Sequence, residues 1–63
     1  MNEAGAKLVA KEMGMRATRA GKGDQFKYEV APFDTHGDRV LTWGVKQYVK
    51  NQGEWFFDKF VEW

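Results

Sequence analysis

Within two runs between Phe26 and Lys50, apolar side chains recur at a period of two, and this pattern constrains the fold more than any other feature of the sequence. In FKYEV (26–30), Phe26, Tyr28 and Val30 fall on one side, Lys27 and Glu29 on the other. In RVLTWGVKQYVK (39–50), Leu41, Trp43, Val45 and Val49 share one parity. Successive strand side chains point to opposite faces, so a period of two marks strands buried on one face only. The β-branched and aromatic residue types agree with that reading. Between the runs lies DTHG (34–37), read as a four-residue polar loop with glycine at the left-handed position. Pro32 places the end of the first strand at an edge or in the turn. This hairpin sets Val30 opposite Leu41, Tyr28 opposite Trp43, and Phe26 opposite Val45.

The final segment, GEWFFDKFVEW (53–63), carries Trp55, Phe56, Phe57, Phe60 and Trp63. As a helix it would gather Glu54, Asp58 and Glu62 on one stripe, with Asn51 and Glu54 as a capping box. As a strand it follows a three-residue loop, Asn51-Gln52-Gly53, and the register is then fixed. Lys50 faces Glu54, Val49 faces Trp55, Tyr48 faces Phe56, and Lys46 faces Asp58. Gly44 faces Phe60 and Trp43 faces Val61. Two opposite-charge pairs, one aromatic pair and an aromatic ring over a strand glycine follow from that one turn. The helix accounts only for the charges, so the strand is the expectation. It directs Trp55, Phe57, Val61 and Trp63 to the core, and Phe56, Asp58 and Phe60 to the opposite face.

Ahead of the strands, EAGAKLVAKEM (3–13) has helix-forming residues and an apolar stripe at Leu8, Val9 and Met13, with Ala6 and Ala10 beside it. Asn2 is the N-cap, and Gly14 sits where a glycine would end the helix. MRATRA (15–20) reads as a short edge strand and GKGDQ (21–25) as a turn. The expected fold is α+β, one small domain over residues 1–63. Its N-terminal helix packs on one face of a three- to four-stranded antiparallel β-meander, and nothing remains to cover the other face.

A chain of 63 residues buries only about 60% of its unfolded surface and has little stability to spare. There is no cysteine, which removes disulfides and thiolate metal sites and accords with a reducing compartment. The expected location is the cytoplasm: no apolar run reaches the roughly 18 residues of a membrane span, and the N-terminus lacks a signal-peptide core. The chain reads as a complete small reading frame.

Catalytic chemistry is hard to place. The chain has neither serine nor cysteine as nucleophile, and His36 is the single imidazole. Within DTHGD it belongs to a polar turn, and its two adjacent carboxylates lack the spacing of a metal-ligand set. GKGD (21–24) lacks the second half of a phosphate-binding loop. No catalytic residue, metal or cofactor is expected.

The net charge of +1 divides unevenly, with +3 on residues 1–27 and −2 on residues 28–63. Arg16, Arg19 and Lys22, spaced three apart, are candidate contacts for an anion or nucleic acid, although charges on an edge strand also serve to prevent pairing. The main candidate surface is the uncovered sheet face. There Tyr48, Phe56 and Phe60 are the anchors, and Lys46, Lys50 and Asp58 set orientation. With Glu29, Glu54 and Glu62 on that face too, mixed charge around aromatic anchors fits a protein interface. The expectation is therefore a small non-enzymatic protein-binding module, an inhibitor or adaptor of the kind phages and mobile elements encode, occupying a partner's surface or that of a second copy. The alternative is a DNA- or RNA-binding module using the basic N-terminal segment and the aromatic face, since bases stack on exposed rings.

Overall fold

The structure is a computed structural model that describes residues 1–61. It consists of helix α1 (Glu3–Arg19) followed by strands β1 (Phe26–His36), β2 (Arg39–Asn51) and β3 (Glu54–Phe60). The strands form one antiparallel sheet in the order β1-β2-β3, with α1 packed across β1 and β2. The α+β meander is thus as expected, with three strands.

Helix α1 begins as the sequence indicates: the Asn2 side chain accepts a hydrogen bond from the Gly5 amide at 2.7 Å. It does not stop at Gly14. The segment 15–20, expected as an edge strand, is the last part of the helix and the residue that caps it. The terminating glycine is Gly21, at φ 75°. Its amide donates to the Thr18 carbonyl and the Lys22 amide donates to the Ala17 carbonyl, a Schellman ending that satisfies carbonyls left free by the last turn. Gly14 lacks these partners, and a mid-helix glycine costs only about 1 kcal/mol. Packing of the helix on the sheet offsets that.

The apolar contacts of α1 are Ala6, Val9, Ala10 and Met13, at i, i+3, i+4 and i+7. Leu8, assigned to the stripe from sequence, points to solvent. Against this face lie Tyr28, Val30, Trp43, Val45 and Val61. Ala6 and Val45 are completely buried, and Val45 is the largest side chain to be so. Small residues on the helix let it lie close to the sheet.

Both hairpin turns are tighter than expected. The first is Gly37-Asp38, with Gly37 at φ 60°, so the strands continue through Asp34, Thr35 and His36. Val30 consequently pairs with Val45, Tyr28 with Gln47 and Phe26 with Val49, four residues from the expected partners. Four is an even number, so the faces survive the correction. Only Leu41 is lost from the core: it is unpaired at an irregularity where Asp34 pairs with Thr42 and Thr35 with Val40, and it is exposed.

The second turn is Gln52-Gly53, at φ 53° and 82°, the two positive angles of a type I′ hairpin. It is one residue shorter than expected, and an odd slip reverses every side chain. Lys50 pairs with Trp55, Val49 with Phe56 and Tyr48 with Phe57. Beyond them the register shifts: Gln47 pairs with Lys59 and Lys46 with Phe60, leaving Asp58 as an extra residue, a β-bulge. The bulge brings Phe60 back to the face expected of it, and the Val61 amide donates to the Val45 carbonyl at 2.8 Å. The expectation for Trp63 lies outside the described residues.

The bulge also explains Asp58. Instead of facing away from the helix with Lys46, its carboxylate accepts from Gln47 Nε2 at 2.7 Å, and Gln47 Oε1 accepts from the Tyr28 hydroxyl at 3.0 Å. One side chain from each strand thus forms a polar relay across the sheet, and the Gln47 at its centre is buried. Desolvation, followed by the Asp58 charge, pushes the Tyr28 phenol above its usual value of 10.0. A raised folded-state value means that this group's contribution to stability is complete below about pH 10 and fades as pH rises through the raised value. Tyr28→Phe should therefore shrink the alkaline loss of stability, measured as the urea midpoint between pH 7 and 11. At pH 7 it should cost about 1 kcal/mol, because Gln47 Oε1 loses its donor. An unchanged alkaline limb in the variant would show that Tyr28 does not couple to folding.

Candidate functional site

The sheet face opposite α1 is uncovered, and five aromatic residues from all three strands meet on it. Tyr48 packs edge-on against Phe57 with centroids 5.9 Å apart, Phe57 against Phe60 at 5.8 Å, and Phe60 against Phe33 at 5.1 Å. Trp55 joins through Lys27, whose Nζ lies 5.2 Å from the Tyr48 centroid and 5.4 Å from that of Trp55. Lys50 approaches Trp55 at 5.7 Å and Lys46 approaches Phe57 at 5.8 Å. These are cation–π distances, and each ammonium stands beside a ring.

Local structure explains the assembly. The type I′ turn puts Trp55 and Phe57 on this face, and the Asp58 bulge returns Phe60 to it. Phe33 is the extra residue between the Pro32–Trp43 and Asp34–Thr42 pairs. Gly44 makes room: a Cβ there would stand 3.1 Å from the Phe60 ring and 3.3 Å from Phe33 Cβ, so Phe60 lies directly on bare backbone. The sequence reading anticipated that ring over Gly44.

The charges on this face are mostly positive. Lys27, Lys46 and Lys50 stand among the rings; among the described residues the carboxylates on this face are Glu29, 3.5 Å from Lys27 Nζ, and Asp34, which pairs with Thr42 next to Phe33. Partial desolvation, then the Glu29 charge, pushes the Tyr48 phenol upward. Glu54, two residues before Phe56 on the same strand, shares the helix-side parity with it.

Of the residues singled out from sequence, Tyr48, Phe60, Lys46 and Lys50 come together here. Phe56 does not: it pairs with Val49 on the helix side of β3, beyond the reach of α1, and is 52% exposed. Asp58 is held by Gln47 on that same side. Arg16 and Arg19 belong to the last turn of α1, which packs on the other face, and Lys22 to the turn that follows it; Arg16 pairs with Glu12 at 3.5 Å. The reading missed Trp55, Phe57 and Phe33. A two-residue turn at Gln52-Gly53 would have found the first two, because it is the commonest hairpin loop and glycine suits its second position.

Among the described residues no three His, Asp or Glu side chains gather as a metal site, and no helix is long and apolar enough to cross a membrane. Compared with family models, with curated proteins and with solved structures, the chain matches none.

The uncovered face is also visible in the dimensions. The chain is a slab of 37 × 22 × 14 Å with 4804 Å² of accessible surface, where a compact protein of 7.3 kDa exposes about 4200 Å².

Proposed function

We propose that the chain is a non-enzymatic binding module that holds single-stranded nucleic acid on the open face of its sheet. The observation that carries this reading is the interleaving of five rings with three lysines on one face, where the Glu29 carboxylate is already paired with Lys27. Unpaired bases offer flat π-surfaces to exposed aromatic rings, and a stacked base carries its phosphate to within reach of a neighbouring ammonium. From sequence the balance lay with a protein partner, because Glu29, Glu54, Asp58 and Glu62 were all assigned to this face. Moving Glu54 and Asp58 to the helix side removes two of the four carboxylates that favoured a mixed-charge protein rim. A second copy docked face to face would set the same three lysines against each other.

The direct test is a titration with short oligothymidylate and oligouridylate, followed by tryptophan fluorescence. Neutralising three phosphates on single strands gives a slope near −2 in log affinity against log salt, or about twentyfold weaker binding between 50 and 200 mM. Binding that ignores salt, or no binding at 50 mM, would defeat the proposal.

A second reading keeps this face as the site of a protein partner, which the chain would occupy as an inhibitor or adaptor. Its support is the apolar surface outside the lysine frame, at Phe33, which is 63% exposed. Such an interface would depend little on salt.

A further inference from the structure

We infer that the groove between α1 and the free edge of β1 is a second docking surface, which takes an acidic peptide as an added strand. This goes beyond the nucleic-acid reading and, Lys27 apart, uses other residues. The groove, of about 610 Å³, runs between Ala10, Lys11, Gly14, Met15, Thr18 and Arg19 of α1 and Phe26, Lys27 and Tyr28 of β1. Its charged lining residues are Lys11, Arg19 and Lys27, and no carboxylate lines it.

The backbone beside the groove is available for pairing. The Val45 carbonyl points toward Val61, so the Val30–Val45 pair is one whose polar groups face away from each other. The amides and carbonyls of Tyr28 and Val30 therefore point outward from the edge strand. Phe26 shares that phase, with its amide donating to the Lys22 carbonyl and its carbonyl facing out. Pro32 follows in the same phase, at a position where its missing N–H removes no ladder bond. An extended peptide laid along residues 26–30 gains main-chain hydrogen bonds from this edge. Alternate side chains enter the groove against Gly14, Met15 and Phe26. Charge selects the partner: Lys27 is already paired with Glu29, but Lys11 and Arg19 on the helix wall, neither ion-paired among the described residues, favour a peptide bearing Glu or Asp and oppose a basic one.

The test uses the intact isotope-labelled chain and three blocked octapeptides, alternating Glu-Val, Lys-Val and Glu-Pro. Expected are shifts and slowed exchange at the Tyr28 and Val30 amides with the Glu-Val peptide. The Lys-Val and Glu-Pro peptides should bind at least tenfold more weakly, the last because proline cannot complete the ladder. Lys11→Glu combined with Arg19→Glu, both at exposed helix positions whose folding circular dichroism checks, should weaken Glu-Val binding at least tenfold. Trp55→Ala should leave it unchanged, so this inference and the nucleic-acid reading fail separately. Equal affinity for the three peptides, shifts confined to the aromatic face, unchanged binding by the charge-reversed variant, or no binding would each overturn the proposal.

Discussion

Replacing Trp55 and Phe57 together by alanine should lower affinity for a short single-stranded oligonucleotide by at least thirtyfold while leaving the fold in place. A base stacked on an aromatic side chain contributes about 1–3 kcal/mol, so losing two platforms removes about 2–6 kcal/mol of binding. The expected structural cost is smaller. Trp55 and Phe57 are 38% and 53% exposed, and what stability they contribute comes from edge contacts with Tyr48 and Phe60 and from the lysines beside them. Such aromatic pairs contribute about 0.5–1.5 kcal/mol beyond their burial. Phe56→Ala is the informative control: it lies between the two in sequence, is equally exposed, and faces the other way. It should change affinity less than twofold. If Phe56→Ala lost binding and the double variant kept it, the face assigned to the ligand would be wrong.

The largest expected loss of stability is at Val45. A 63-residue domain has about 3–9 kcal/mol in total. Val45 sits at the middle of β2, completely buried beneath Ala6 and Val9, and also anchors the end of β3 by accepting from the Val61 amide. Val45→Ala removes two buried methyl groups and leaves a cavity beneath a helix already close to the sheet, which costs about 2–3 kcal/mol. In a domain this small that lowers the melting midpoint by on the order of 10–20 °C. Leu41→Ala, in the same strand but 52% exposed, should shift the midpoint little. Equal losses at the two positions would show that the core is not where Val45 places it.

Those two positions also show what the sequence made legible. The period-two pattern was enough to group Tyr28, Val30, Trp43 and Val45 beneath a helix, because an even error in register leaves faces intact. It was not enough for β3, where a turn one residue shorter than assumed exchanged Phe57 for Phe56. Nothing in residues 54–60 announces the Asp58 bulge, since the group that Asp58 bonds there, Gln47, lies on the neighbouring strand. The length of α1 was misjudged for a similar reason. Gly14 and Gly21 look alike in sequence, and only Gly21 has the hydrogen bonds that end a helix.

The Asp58 bulge has a consequence for how this surface can change over time. It divides β3 into two lengths whose phases are set independently. On the C-terminal side, Phe60 is seated on Gly44 on the open face, and Val61 is bonded to Val45 and packs against the core. On the turn side, residues 54–57 take their orientation from the two-residue loop alone. Adding one residue to the loop and removing Asp58 would exchange which of these side chains are displayed, with the Phe60–Gly44 contact undisturbed. The part of the molecule that meets a ligand can thus be rewritten by a compensated pair of length changes, without renegotiating the interior.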